Sequence, residues 1–115
     1  MIYHIIDAEN PDADLSGDFY IPESFTKVGF IHCSDILKIE ESANRFFRGR
    51  KQLIILCINE ELVTSEIITE DLYNSGYKFP HIYGPLNLNS VTNTFKIKSD
   101  AGGNFKFENK LSNLS

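Results

Sequence analysis

Phe25-Thr-Lys-Val-Gly-Phe-Ile-His-Cys-Ser34 runs directly into Asp35-Ile-Leu-Lys-Ile-Glu-Glu-Ser-Ala-Asn-Arg-Phe-Phe47, and the fold turns on how these two segments are read. Residues 25–33 are rich in aromatic and β-branched side chains. They predict a strand with Val28, Phe30 and His32 on one face and Gly29, Ile31 and Cys33 on the other. Ser34 follows at once and suits the N-cap of a helix over 35–47. In that helix Ile36, Ile39, Ala43, Phe46 and Phe47 recur at spacings of three and four, which makes one core-facing stripe. Gly49 is a stop signal for the helix.

Working outward, residues 51–58 read as a buried strand of bulky aliphatics, and residues 2–6 as another strand, with Ile2, His4 and Ile6 sharing a face. Residues 9–18 hold Pro11, Gly17 and several acids without apolar periodicity, so they predict a loop. Ile67 and Ile68 suggest a short strand before the Glu70-Asp71 pair. A loop through Asn74, Gly76 and Pro80 then leads into Phe79-Pro-His-Ile-Tyr-Gly-Pro-Leu86. At the C-terminal end, residues 94–99 and 104–107 both alternate. They predict a hairpin with Ile97 opposite Phe105, Phe95 opposite Phe107, and a three-residue loop with Gly102 at positive φ. The expected fold is α+β: a small mixed or antiparallel sheet core, one principal helix and this C-terminal hairpin. One domain over 1–107 and a polar tail over 108–115 are expected.

The 115 residues suffice for one core, with roughly two-thirds of the open chain's surface buried. The longest apolar run, Leu53 to Ile58, is too short to span a bilayer. The N-terminus lacks the basic stretch of a secretory signal, so a cytoplasmic protein is expected. Net charge is −5, the wrong sign for holding nucleic acid or anionic lipid by charge. Residues 1–23 carry all their charge as acids, so an anion site is expected beyond them. Cys33 and Cys57 lie in apolar stretches without metal-ligand spacing and read as buried, reduced thiols.

All three histidines, His4, His32 and His81, sit in apolar, structured contexts, where an imidazole is either a satisfied core residue or a functional one. No spacing suggests a metal site. His32 and Cys33 are strand neighbours on opposite faces and cannot pair as a dyad. Glu41 stands four residues before Arg45 for a helical ion pair, which leaves Arg48 and Arg50 as the better candidates for gripping phosphate. Glu70 is either a solvated turn acid or, if it faces the histidines, a general base or an acceptor for a ribose hydroxyl. Tyr83 offers an aromatic face to a base or nicotinamide ring.

The segments Ile2-Tyr-His-Ile5, Gly29-Phe-Ile-His-Cys-Ser34, Ala43-Asn-Arg-Phe-Phe-Arg-Gly49, Glu70-Asp-Leu72 and Phe79-Pro-His-Ile-Tyr-Gly-Pro-Leu86 carry a specific likeness over residues 2–98. In their order and spacing the chain resembles the bacterial and plant family filed as domain of unknown function nine hundred and fifty-two. That family in turn resembles the ADP-ribosyltransferase-like fold, including the tRNA phosphotransferases that handle a 2′-phosphate. The resemblance implies NAD or a related nucleotide as ligand, His4 on its ribose, and a Ser after the second strand at Ser34. It further places His32 where many transferases have Tyr, and Glu70 in the position of the catalytic Glu.

The candidate catalytic residues are therefore His32, Glu70 and His81, and the candidate ligand-binding residues are His4, Ser34, Arg48, Arg50 and Tyr83. The expected function is binding or transformation of NAD, ADP-ribose or a phosphorylated ribose, a small-molecule partner in each case. The alternative is a noncatalytic ligand-binding or interaction module. The oligomeric state is left open.

Overall fold

Strand β4 (Gln52–Ile58) organises the molecule because it is apolar on both faces. In the computed structural model, which describes residues 1–9, 11 and 14–107, Leu53, Ile55 and Cys57 face one cluster with Tyr3, Ile39, Ala43, Ile97, Phe105 and Phe107. Leu56 and Ile58 face a second cluster with Ile2, Ile6, Tyr20, Ile31, Cys33, Ile82 and Leu86. A strand sandwiched in this way reads as a continuous apolar run, with each fully buried aliphatic side chain contributing about 1.5–3 kcal/mol.

β1 (Ile2–Asp7) and β8 (Val91–Lys98) flank β4 in an antiparallel sheet, with Ile2 opposite Ile58 and Leu53 opposite Ile97. A second antiparallel sheet has the order β3 (Ile31–His32), β6 (Phe79–Tyr83), β5 (Glu66–Glu70). A short ribbon pairs β2 (Phe19–Tyr20) with β7 (Leu86–Asn87). The two larger sheets are stitched by residues 31–34: Ile31 and His32 pair with β6, Cys33 N donates to Pro80 O, and Ser34 exchanges two backbone hydrogen bonds with Tyr3, each 2.8 Å. No helix among the described residues is long and apolar enough to cross a membrane.

The α+β class holds, and all the sheet pairings are antiparallel. Three local expectations are corrected. First, residues 25–28 form a helical turn, α1 (Phe25–Val28), instead of a strand. Pro22 and Glu23 carbonyls accept from the amides of Phe25 and Thr26, and Gly29, at φ 82°, ends the turn with its amide on Phe25 O. Left-handed backbone there suits glycine and prevents a continuous strand.

Second, the principal helix α2 spans Ile39–Phe46 and starts later than expected. Asp35 Oδ1 accepts from the amides of Leu37 and Lys38 and holds a turn ahead of the helix, while Ser34 Oγ donates to Ser42 Oγ at 2.9 Å instead of capping. Ile39 and Ala43 are buried as the stripe requires, but Ile36 and Phe46 are exposed.

Third, the C-terminal hairpin does not form its second strand. Asp100 Oδ1 accepts from the amides of Gly102 and Asn104, and Gly103 takes the positive φ expected of Gly102. Residues 104–107 then run beside α2, where Asn44 satisfies both backbone groups of Phe105 and Glu40 accepts from Phe107 N. The side-chain half of the expected register survives, since the Phe95 and Phe107 rings meet edge to face, 6.3 Å apart. The polar tail over 108–115 and part of the loop over 9–18 lie outside the described residues.

Candidate functional site

Strand alternation builds the site. In the β3-β6-β5 sheet, Ile31, Ile82 and Ile67 are register partners and turn towards the core. The intervening positions therefore send His32, His81, Phe79, Tyr83 and Glu70 to the opposite face. His32 and His81 are direct partners across the ladder, and Glu70 stands diagonal to His81 on the neighbouring strand. His4, on β1, joins them because the stitch at residues 31–34 brings β1 against β3. Its Nδ1 lies 2.7 Å from His32 O.

The hydrogen-bond directions follow from what each partner can do. A backbone carbonyl only accepts, so His4 donates from Nδ1, and its Nε2 is hydrogen-bonded with the Tyr20 hydroxyl, 2.9 Å away. Glu70 accepts at Oε2 from His81 Nδ1, at 3.0 Å, and from the Tyr83 hydroxyl. These two bonds, Tyr83 first, hold the Glu70 carboxyl below its ordinary pKa, and the Tyr83 phenol is pushed up to about 12 by the same carboxylate. Nε2 of His81 faces Nδ1 of His32 at 3.2 Å. His81 is fully buried, with Phe30 stacked on it at 4.1 Å. Burial, then the neighbouring His81 and His4, push the His32 pKa down to about 4.

A cleft of about 340 Å³ opens beside this cluster. Its apolar wall comes from Ile5, Val28, Phe30, Phe46 and Phe47, its hydroxyls from Tyr3, Ser24, Ser34, Ser42 and Tyr73, and its imidazoles from His4 and His32. A volume of this size and mixed lining is in the range of small-molecule sites. Among the described residues no Lys, Arg, Asp or Glu lines it. A smaller hollow of about 130 Å³ shares Ser42, Phe46 and Tyr73 and adds Lys38, Glu41, Arg45, Ser75, Tyr77 and Phe79.

Of the expected site residues, His4, His32 and Ser34 line the cleft, and His81 and Glu70 back His32 from behind. Tyr83 is outside the cleft wall, its ring tilted against Phe30. Arg48 and Arg50 line neither hollow, and Arg50 Nε lies 3.6 Å from Asp7 Oδ2. The Glu41 partner expected for Arg45 is taken by Lys38, at 2.9 Å, and the Arg45 guanidinium sits 5.6 Å from the Phe46 ring. Glu70 and Asp71 separate cleanly: Glu70 faces His81, while Asp71 accepts from Ser75 and Gly76 in a turn. Among the described residues no group of three or more His, Cys, Asp or Glu side chains is arranged to hold a metal ion. Cys33 and Cys57 are free and buried, and burial raises both thiol pKa values, that of Cys57 to about 11.

Sequence reasoning did not single out Phe30, Tyr73 or Tyr20. Phe30 carried a weak signal, sharing the predicted face of His32. Tyr73 lies in an irregular segment and Tyr20 in a two-residue strand, so neither had a periodicity to mark it.

The molecule is thus an α+β protein in which two small antiparallel sheets meet at an imidazole cluster beside a neutral cleft. It belongs to the family described as Protein of unknown function (DUF952), whose model matches residues 5–94. It is similar to protein CC0527 from Caulobacter crescentus, a structural-genomics target. The crystal structure of CC0527 is 28% identical with TM-score 0.83, covering 96% of this chain and 97% of that one. The solution NMR structure of CC0527 is 29% identical with TM-score 0.78, covering 99% and 97%. No curated protein matches the chain.

Proposed function

We propose that the cleft binds the ribosyl or nucleoside portion of a small molecule, of the kind found in NAD, ADP-ribose or a phosphorylated ribose. The observation that carries this reading is the lining: aromatic rings for a base, hydroxyls and imidazoles for sugar hydroxyls, and, among the described residues, no Lys, Arg, Asp or Glu. A pyrophosphate buried among these groups would meet no cation, which is costly for a desolvated anion. A phosphate on the ligand would instead lie past Phe46, in the smaller hollow, where Arg45 takes the place of the expected Arg48 and Arg50 and Lys38 is paired with Glu41. Among the described residues Arg45 has no carboxylate partner, so its guanidinium is available to an anion. This reading accommodates the transferase-like, ADP-ribosyltransferase-like chemistry that the family resemblance implies, with His4, His32 and Ser34 at the sugar.

A binding module without turnover is the second reading. It is favoured by one observation: Glu70 is engaged by Tyr83 and His81 and does not reach the cleft wall.

Calorimetric titration with adenosine, nicotinamide riboside, AMP, ADP-ribose and NAD tests the site. Binding of the nucleosides, tightened by a phosphate and returned to the nucleoside level by Arg45→Ala, is the expected pattern. Absence of binding by all five overturns the proposal. Release of nicotinamide or phosphate from a bound ligand selects the catalytic reading over the binding module.

A further inference from the structure

One buried polar atom in the described structure has no hydrogen-bond partner: Nε2 of His32. A bare donor or acceptor sealed in protein costs about 1–3 kcal/mol, and such an atom calls for an explanation. Its chemical state follows from the chain of bonds behind it. Glu70, as a carboxylate, only accepts, so His81 carries its proton on Nδ1. Neutral His81 then offers a lone pair at Nε2, and the 3.2 Å contact requires His32 to donate from Nδ1. Neutral His32 has a single ring proton, so Nε2 is left as an open lone pair on the residue that lines the cleft.

We propose that Nε2 of His32 is the proton-accepting atom of the cleft, with His81 and Glu70 as positioning residues that fix its lone pair there. This assignment deepens the cleft reading above and rests on it. A hydroxyl on a bound ligand gives its proton to Nε2 and keeps the O–H electron pair. The Nδ1 proton of His32 passes to Nε2 of His81, and the imidazolium so formed lies against the Glu70 carboxylate. The positive charge therefore comes to rest on His81 beside a carboxylate that is already ionised, and His32 stays neutral beside the anionic ligand oxygen, which makes His32 a stronger acceptor than its isolated, buried ring would be. The ligand oxygen, left with the electron pair, is the nucleophile of the transfer that follows.

The groups facing His32 from the surrounding elements are compatible with this route. β6 contributes His81, β5 contributes Glu70 through His81, β1 contributes His4, and the segment after β5 contributes the Tyr73 ring at 5.9 Å. α2 presents only the Phe46 ring, also at 5.9 Å. Phe46 and Tyr73 are each about half exposed and belong to the wall shared by the two hollows, so in this assignment these rings shift to let a ligand hydroxyl reach the buried Nε2.

Imidazole nitrogen resonances of the full chain, labelled with ¹⁵N-histidine and free of ligand, test the proposal directly. At pH 7.5 His32 is expected with Nδ1 protonated and Nε2 bare. Glu70→Gln, whose amide can donate as well as accept, should lower the population with bare Nε2 from nearly all to about half. Tyr83→Phe, which leaves the carboxylate in place, should not change it. A proton on Nε2 of the wild-type protein at pH 7.5 overturns the proposal even if a variant fails to fold, as does a Glu70→Gln spectrum identical to wild type. Adenosine titration of the same sample reads the cleft separately: the expected tautomer without binding removes the ligand reading alone, whereas binding to a protein with Nε2 protonated removes the relay alone.

Discussion

His32 and His81 face each other across the β3-β6 ladder, with Nδ1 of one and Nε2 of the other 3.2 Å apart. Because the strands fix the backbones, this contact is set by register, and its chemistry is set by the carboxylate on the far side of His81. The pair consequently has a defined response to acid. His32 has an ordinary pKa of 6.5 and is held down to about 4, so its neutral form is favoured by folding. The unfolded chain binds more protons between those values. Stability is therefore fully present above pH 6.5 and is lost as the pH falls through 4, by on the order of 3 kcal/mol for this group. Urea unfolding at pH 7.5, 6.5, 5.5 and 4.5 should show the decline, and His32→Gln should flatten it.

Gly84 is packed against Ser65, just ahead of β5, where an added Cβ would clash with Ser65 Oγ and lie 2.9 Å from Ser65 Cβ. Ser65 cannot simply swing away, because its hydroxyl donates to Pro85 O at 2.7 Å. Gly84→Ala should destabilise the protein by about 1–3 kcal/mol. Combining it with Ser65→Gly should recover most of the loss, and denaturation of the two single variants and the double variant measures the coupling.

Asn44 does for residues 104–107 what a neighbouring strand would have done. Its Oδ1 accepts from Phe105 N at 2.7 Å and its Nδ2 donates to Phe105 O at 3.0 Å. Asn44→Ala leaves both backbone groups of a buried residue unmet and should cost about 2–4 kcal/mol. Asn44→Asp, which keeps the acceptor and loses the donor, should fall between, as read from chemical denaturation midpoints.

Both thiols are buried at 1% exposure and resist ionisation. A disulfide-exchange reagent should therefore label neither cysteine in the native protein at pH 8 and both in denaturant. Rapid labelling of the native protein by ultraviolet-visible assay would contradict their placement in the two core clusters.

Much of this arrangement was legible in the chain. The apolar run at 53–58 announced β4, and alternation in residues 2–6 correctly grouped Ile2 and Ile6 away from Tyr3. What escaped was governed by single side chains acting on nearby backbone. Gly29 turned a β-rich segment into α1, Asp35 delayed the helix, and Asn44 with Glu40 diverted residues 104–107 from pairing with β8. At the site, the histidines stood out by residue type and context, and the resemblance singled out Glu70, but whether Glu70 or Asp71 faces the histidines was not legible locally. Which of the two turns inward depends on the β5-β6 register, a long-range property that local periodicity does not contain. Pro80 also misled, since it marked a loop yet occupies β6. Its carbonyl accepts from Cys33 N, and its missing N–H faces the side on which β3 has already ended.

The four residues from Ile31 to Ser34 belong to both larger sheets at once. A one-residue insertion there would rotate His32 out of line with His81 and shift Ser34 off Tyr3 in the same stroke, so this is the place where length variation is least tolerable. The surface turns can change in length freely by comparison. In mechanical terms the segment is a hinge pin without play: the two halves of the molecule cannot slide past one another and still keep the imidazoles in register.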